Sequence, residues 1–360
     1  MGYLGNSRRI RHFSSVFLIL AACALPAGAV TPEVVWTGTF GGVNEDSGYA
    51  VATTADGGYV LAGTTDPTGA GISDVYLVKI DADGTRQWER TYGGAAVETA
   101  RGVVQTADGG YMLAGIIGVP PLALDVLVIR TDASGEILWQ TTMGGPYKED
   151  IRGMCSTFDG GVVVCGERYG SSTGPVQFYL AKVDADGQVV WERSYGQGRG
   201  YGVRETADHG LVFCGYSSNS ELVPENSARL FRVNVGGGLV WQRTYIDNVA
   251  RDDKGFDLVV RSDGDIAMAG TNTSYLTLRR VSATGALRWS EDYLTIRAYN
   301  AVIVNSPRGG VFSSFFTNSL REHKSKVVFS TMHWIPGPIR RCDSSRSGSV
   351  QPRRGRVDRE

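Results

Sequence analysis

An all-β fold assembled from repeated four-stranded units is what this sequence predicts, and three observations predict it. Tryptophan stands at 36, 88, 139, 191, 241, 289 and 334, at intervals of 52, 51, 52, 50, 48 and 45 residues. Self-similarity at that period marks a tandem array of supersecondary units. A turn signature moves with it as Asp56-Gly57-Gly58, Asp108-Gly109-Gly110, Asp159-Gly160-Gly161, Asp208-His209-Gly210 and Asp263-Gly264-Asp265. Composition agrees: 48 Gly and 16 Tyr against only 12 Pro suit short strands joined by tight turns, not an unfolded chain.

Each unit divides into four strands. In the second they are "GVVQT" from Gly102, "YMLAGI" from Tyr111, "VLVIRT" from Val126 and "ILWQTTM" from Ile137. Ala107-Asp108-Gly109-Gly110 joins the first pair and Asp132-Ala133-Ser134-Gly135 the last, each with glycine where a hairpin needs positive φ. Six or seven residues after the first turn comes a small residue and a glycine: Ala62-Gly63, Ala114-Gly115, Cys165-Gly166, Cys214-Gly215 and Ala269-Gly270. That column is a small buried slot, so Cys165 and Cys214 are expected to be free buried thiols. A cation precedes the second turn as Lys79, Arg130, Lys182, Arg232 and Arg280. Tyr92, Tyr195, Tyr245 and Tyr293 follow the tryptophan by four residues, on its face of the strand.

One small twisted sheet cannot cover its own apolar faces, whereas sheets packed radially cover one another. The expected architecture is therefore a β-propeller, and large aromatics suit its seams because each buries roughly 150–250 Å². "VVWTGTFGG", Val34 to Gly42, is a fourth strand with no first three before it, placed to complete the last blade. "AVIVNSPRGGVFSSFF" from Ala301 supplies two strands of a sixth unit, and "KVVFSTMHW", Lys326 to Trp334, a third. Six blades are the preferred number, with seven as the alternative; a degenerate C-terminal part would leave an incomplete ring. The units resemble the repeats of secreted bacterial and archaeal β-propeller proteins. Their Asp-x-x-Gly-x-x-x-Trp core, as in Asp81, Gly84 and Trp88, is similar to the tryptophan-docking repeat of quinoprotein-like propellers.

The chain ends read differently. Arg8, Arg9 and Arg11 precede an apolar run, Phe13 to Ala27, too short to span a bilayer, and Ala27-Gly28-Ala29 offers a small-x-small cleavage site. Residues 1–29 are expected to be a signal peptide, 30–336 the propeller, and 337–360 a disordered basic tail. Leu20-Ala21-Ala22-Cys23 also fits a lipobox in which Cys23 would be lipidated; the secretory reading is preferred because more apolar residues and no polar tether follow. The expected location is thus secreted or periplasmic, with an outer-surface lipoprotein as the alternative and membrane association only through Cys23. Setting both ends aside leaves a body charge of about −8. That argues against nucleic acid, which wants a basic face.

Candidate chemistry is sparse. An acidic column precedes strand one as Asp46, Glu98, Glu149 and Asp253, in the interblade loops where propellers bind things. It could hold a ligand or cation, or cap turns and pair with Arg101 and Arg152. The strand-three cations are expected to pair with Glu89, Gln140, Glu192 and Gln242, each next to its tryptophan. Asp81-Ala82-Asp83-Gly84 and Asp184-Ala185-Asp186-Gly187 lack the further oxygen ligands of a calcium loop and read as turns. No zinc cluster, nucleophile elbow or phosphate loop is present. Trp36, Trp88, Trp139, Trp191, Trp241 and Trp289 read as structural.

Three functions follow. The preferred one is a monomeric, non-enzymatic exported propeller, with no cofactor, presenting loops to a protein, glycan or envelope partner. The second is an envelope assembly scaffold. The third, implied by the quinoprotein resemblance, is a dehydrogenase with PQQ and calcium in a central funnel, against which stand the short chain and the lack of an adjacent cysteine pair or clustered ligands.

Overall fold

Apolar residues alternate along short strands here, and each Asp-Gly turn reverses the chain, so every unit closes into an antiparallel meander. The computed structural model describes residues 36–317 except 69–71, 119–123, 171–173, 219–225, 246–252, 273–274, 295–297 and 306–310. The first blade comprises β1 (Asp46–Thr53), β2 (Tyr59–Thr65), β3 (Asp74–Ile80) and β4 (Arg86–Tyr92). The second has β5 (Val97–Gln105), β6 (Tyr111–Gly118), β7 (Asp125–Thr131) and β8 (Ile137–Met143). The third has β9 (Glu149–Ser156), β10 (Val162–Tyr169), β11 (Val176–Val183) and β12 (Val189–Gln197). The fourth has β13 (Arg199–Glu205), β14 (Leu211–Ser218), β15 (Asn226–Val233) and β16 (Leu239–Tyr245). The fifth has β17 (Asp253–Val260), β18 (Ile266–Asn272), β19 (Tyr275–Val281) and β20 (Leu287–Leu294). A two-stranded sheet of β21 (Ala298–Asn305) and β22 (Val311–Thr317) opens a sixth unit.

The fold is a β-propeller. All five complete sheets run in strand order one to four. The first strands, β1, β5, β9, β13, β17 and β21, lie beside one another in sequence, and each one after β1 also packs on the sheet before it. Fourth strands form the rim, with residues such as Leu138 and Val240 more than half exposed. Five complete blades and the start of a sixth are described, close to the six expected. The segments expected to be a signal peptide (1–29) and a basic tail (337–360), together with Cys23, Lys326 to Trp334 and Cys342, lie outside the described residues. Among the described residues no helix is long and apolar enough to cross a membrane.

The core is divided among the seams. Val60, Ala62 and Leu77 of blade one meet Tyr111, Leu113 and Ile129 of blade two, and the same arrangement recurs around the ring. Each such Val, Leu or Ile side chain, once buried, stabilises by roughly 1.5–3 kcal/mol. Leu61 and Val78, on blade one's opposite face, are covered by Trp36 and Phe40.

Tryptophan and tyrosine lock successive blades together. Trp36 Nε1 donates to Ala82 O, Trp139 Nε1 to Ala185 O and Trp191 Nε1 to Val235 O, each at 3.1 Å. The indoles lie against glycine in the next blade's β3–β4-type turn: a Cβ on Gly84 would meet Trp36 at 2.6 Å, and one on Gly187 would meet Trp139 at 2.8 Å. These glycines also hold φ of +82° and +87°, so both space and backbone exclude a side chain. Tyr92 and Tyr195 hydroxyls donate to Gly135 O and Gly237 O at 2.7 Å. Trp36 thus sits on blade one as the fourth-strand tryptophans sit on their successors, which supports its expected place in the last blade.

The strand-three cations correct one expectation. Lys79 Nζ bonds Asp56 Oδ2 at 2.8 Å, Arg130 bonds Asp108 at 2.5 Å, and Lys182 bonds Asp159 at 2.5 Å. Arg232 meets Asp208, and Arg280 meets both Asp263 and Asp265 at 2.7 Å. The partner is the aspartate of the β1–β2-type turn, not the residue after the tryptophan. Strand pairing explains it: Lys79 lies directly opposite Trp88 and so shares its face, whereas Glu89 faces the other way. Glu89 instead accepts from the Tyr76 hydroxyl and pairs with Arg86.

Candidate functional site: the loop end of the ring axis

Each blade has two ends. Tight turns of uniform length close one, where the Asp–cation clasps and docked tryptophans lie. Interblade connections and the variable second-to-third-strand loops close the other. The acidic column lies at this loop end, at the start of each inner strand, and its members occupy separate seams. Asp46 accepts from Gly42 N at 2.8 Å, and Glu149 from Gly145 N at 3.1 Å. Glu149 also meets Arg168 Nε at 2.7 Å, and Asp253 pairs with Arg279 at 3.3 Å, both wholly buried. Capping the interblade loop is therefore one thing the column does. Its expected pairing with Arg101 and Arg152 is not observed: Arg152 meets Asp150 and Glu167, and Arg101 lies over the Tyr49 ring at 4.4 Å.

Those two arginines belong to a second feature that the sequence reading missed. Every inner strand carries a β-bulge at one equivalent position: Tyr49, Arg101, Arg152, Tyr201, Phe256 and Tyr299 fall where the pairing register shifts. A bulge sets two residues against one and re-aims the extra side chain. Here it turns large residues of adjacent inner strands onto one another. Arg101 covers Tyr49, Arg152 lies 5.1 Å over Tyr201, and Tyr201 meets Phe256 edge-on at 5.1 Å. Two groups result, Tyr49 with Arg101 and Arg152 with Tyr201 and Phe256, which together make a collar along the inner strands, a few residues in from the loop end. Arg101 Nε has no hydrogen-bond partner among the described residues, and Tyr49 is 46% exposed. The bulge also explains why β5 begins at Val97, before the expected Gly102: pairing continues past Arg101 after the alternation breaks.

A further pair of acids stands beside the column. Asp74 and Asp125 open the third strands of blades one and two, 24 residues before Glu98 and Glu149 respectively. Across each seam the backbone joins identically, Glu98 N to Ser73 O and Glu149 N to Leu124 O, both at 2.7 Å. All four carboxyls are raised above their ordinary pKa, burial being the main cause; Asp74 adds to it at Glu98, and Asp66 at Asp74. The signal, two aspartates at one spacing, was present in the sequence but lacked the strand pairing that gives it meaning. Among the described residues no three His, Cys, Asp or Glu side chains converge as metal ligands. Asp81 Oδ1 accepts from Asp83 N and Thr85 N at 3.0 and 2.9 Å, the turn role expected of it. Cys155, Cys165 and Cys214 are free and buried, and burial lifts the Cys155 thiol to about 12.

No family model matches the chain, and no curated protein does. Solved structures of similar shape include a catalytically inactive virginiamycin B lyase from Staphylococcus aureus with quinupristin, at 13% identity and TM-score 0.48, covering 82% of this chain and 85% of that one. Others are Sqt1 from Chaetomium thermophilum (14%, TM-score 0.46, 75% and 69% covered) and the Dos1 propeller (12%, 0.46, 80% and 69%). None assigns chemistry to this chain. The expectation of a non-enzyme is nevertheless corrected: with a lyase among these neighbours, the architecture gives no ground for excluding catalysis.

Proposed function

We propose that this protein is an exported, monomeric propeller that binds a partner at the loop end of its ring axis, the partner being a glycan chain that carries carboxylates. The collar is the observation that carries the reading. Tyr49, 46% exposed, offers an aromatic surface against which a sugar ring stacks, and Arg101 beside it offers donors in a fork that fits a carboxylate. The segments that join second to third strands differ in length and sequence from blade to blade and leave the blades at this same end, as suits a recognition surface carried by a rigid scaffold. Export rests on the sequence of residues 1–29, and kinship with secreted bacterial and quinoprotein-like propellers rests on the tryptophan repeat; both belong to this proposal.

The test is a binding screen of the secreted chain against neutral and uronic-acid oligosaccharides, repeated with Arg101→Ala and Tyr49→Ala. Binding of an acidic glycan that weakens tenfold or more in each variant is expected. Binding that ignores both substitutions, or only neutral or protein ligands, overturns the reading.

A further inference from the structure

We propose that the seams between blades one and two, and between blades two and three, each hold a divalent cation, calcium by preference, on a carboxylate pair contributed by adjoining blades. The pairs are Asp74 with Glu98 and Asp125 with Glu149.

The second seam shows the geometry. Asp125 Oδ1 and Glu149 Oε2 stand 2.6 and 2.9 Å from the point that a Cβ on Gly144 would occupy. Both oxygens are buried without a hydrogen-bond partner, and Glu149 is only 1% exposed. Gly144 has no positive φ to require glycine, so the space in front of the two oxygens is what excludes a side chain. Arg168 binds the other oxygen of Glu149 and is shared with Glu192, which leaves this acid cluster short of positive charge.

At the first seam Gly93 stands to Asp74 as Gly144 stands to Asp125. Asp74 is 9% exposed and Glu98 6%, and Glu98 Oε2 is again buried without a hydrogen-bond partner. Asp66, another acid, also acts on Asp74 and adds to the repulsion. Two carboxylates brought face to face out of water repel strongly unless a cation or a proton joins them. Carboxylates with main-chain carbonyls and water form a hard, all-oxygen site. Calcium accepts such irregular sets, whereas magnesium demands a near-ideal octahedron.

The seams that lack the second acid sharpen the argument. Where β11 opens with Val176 in place of aspartate, the inner strand opens with Arg199, which meets Glu167 at 3.0 Å. At the next seam Asp253 has Arg279. Among the described seams from blade one to blade five, the two acid–acid seams are the ones left for an external cation.

The experiment is calcium titration of the full chain after EDTA treatment, read by calorimetry and by terbium luminescence with calcium competition. Two sites per chain are expected. Asp74→Asn with Glu98→Gln should leave one, Asp125→Asn with Glu149→Gln should leave the other, and Gly144→Ala should remove the second site alone. Wild-type protein showing neither calcium heat nor terbium signal up to millimolar metal overturns the proposal without reference to any variant. So does a count of two that survives the substitutions, or a denaturation midpoint that responds to acidification and not to calcium, which would mean a shared proton. Glycan binding enters none of these readouts.

Discussion

At the turn end of all five complete blades an aspartate meets a cation of its own sheet: Asp56 with Lys79, Asp108 with Arg130, Asp159 with Lys182, Asp208 with Arg232, Asp263 with Arg280. At the loop end of two seams an acid meets an acid, Asp74 with Glu98 and Asp125 with Glu149. The first arrangement satisfies a buried ammonium or guanidinium and ties strand three to the neighbouring turn. Thr106 first, then Arg130, holds the Asp108 carboxyl down to about 2; at Asp56 the Lys79 ammonium comes first. The second arrangement raises its carboxyls. One end of the ring is organised for stability, and the other tolerates a local cost in charge, as binding surfaces commonly do.

Breaking the turn end should cost most. Trp191, 7% exposed and docked on Gly237, is the most buried of the described tryptophans; Trp191→Ala should lower unfolding free energy by about 3–5 kcal/mol in urea denaturation. Asp159→Ala leaves the buried Lys182 ammonium without its acid and should cost about 1–3 kcal/mol. The loop end should respond with the opposite sign. In EDTA at neutral pH, Asp74→Asn removes a repulsion and should stabilise by about 0.5–2 kcal/mol, a gain that excess calcium cancels. An Asp74→Asn variant less stable than wild type in EDTA would show that the pair is not repulsive.

The repeat, the four-strand unit and the tryptophan seam were legible because each depends on spacing along one strand or one turn. His209 illustrates how far that reaches: it replaces a turn glycine and keeps that glycine's left-handed backbone, at φ 61°. What escaped depends on strand pairing. The partner of Lys79 lies 23 residues earlier, in a turn, and adjacency to Trp88 pointed to the wrong face of the sheet. The collar escaped because a bulge breaks the alternation by which strands are recognised, so Arg101 and Arg152 read as neighbours of the acidic column. Asp74 and Asp125 escaped because a single aspartate before a strand looks like turn chemistry until the adjoining blade brings Glu98 or Glu149 beside it.

Acid sensitivity separates the two ends most directly. A carboxyl whose folded pKa is lowered stabilises above its unfolded value, and that stability is lost as pH falls through the folded value. A carboxyl whose folded pKa is raised contributes stability fully present below its unfolded value, which is lost as pH rises through the folded one. Asp56, Asp108 and Asp208 are of the first kind, and Asp74, Glu98, Asp125 and Glu149 of the second. The decisive measurement is the urea midpoint of the full chain in EDTA between pH 7 and pH 3. The midpoint should rise on acidification towards the ordinary carboxyl values of 3.8 and 4.5, then turn down below them as the unfolded chain takes up protons that the clasp carboxyls, held low, still refuse. A midpoint that falls steadily from pH 7 would contradict the contrast between the two ends.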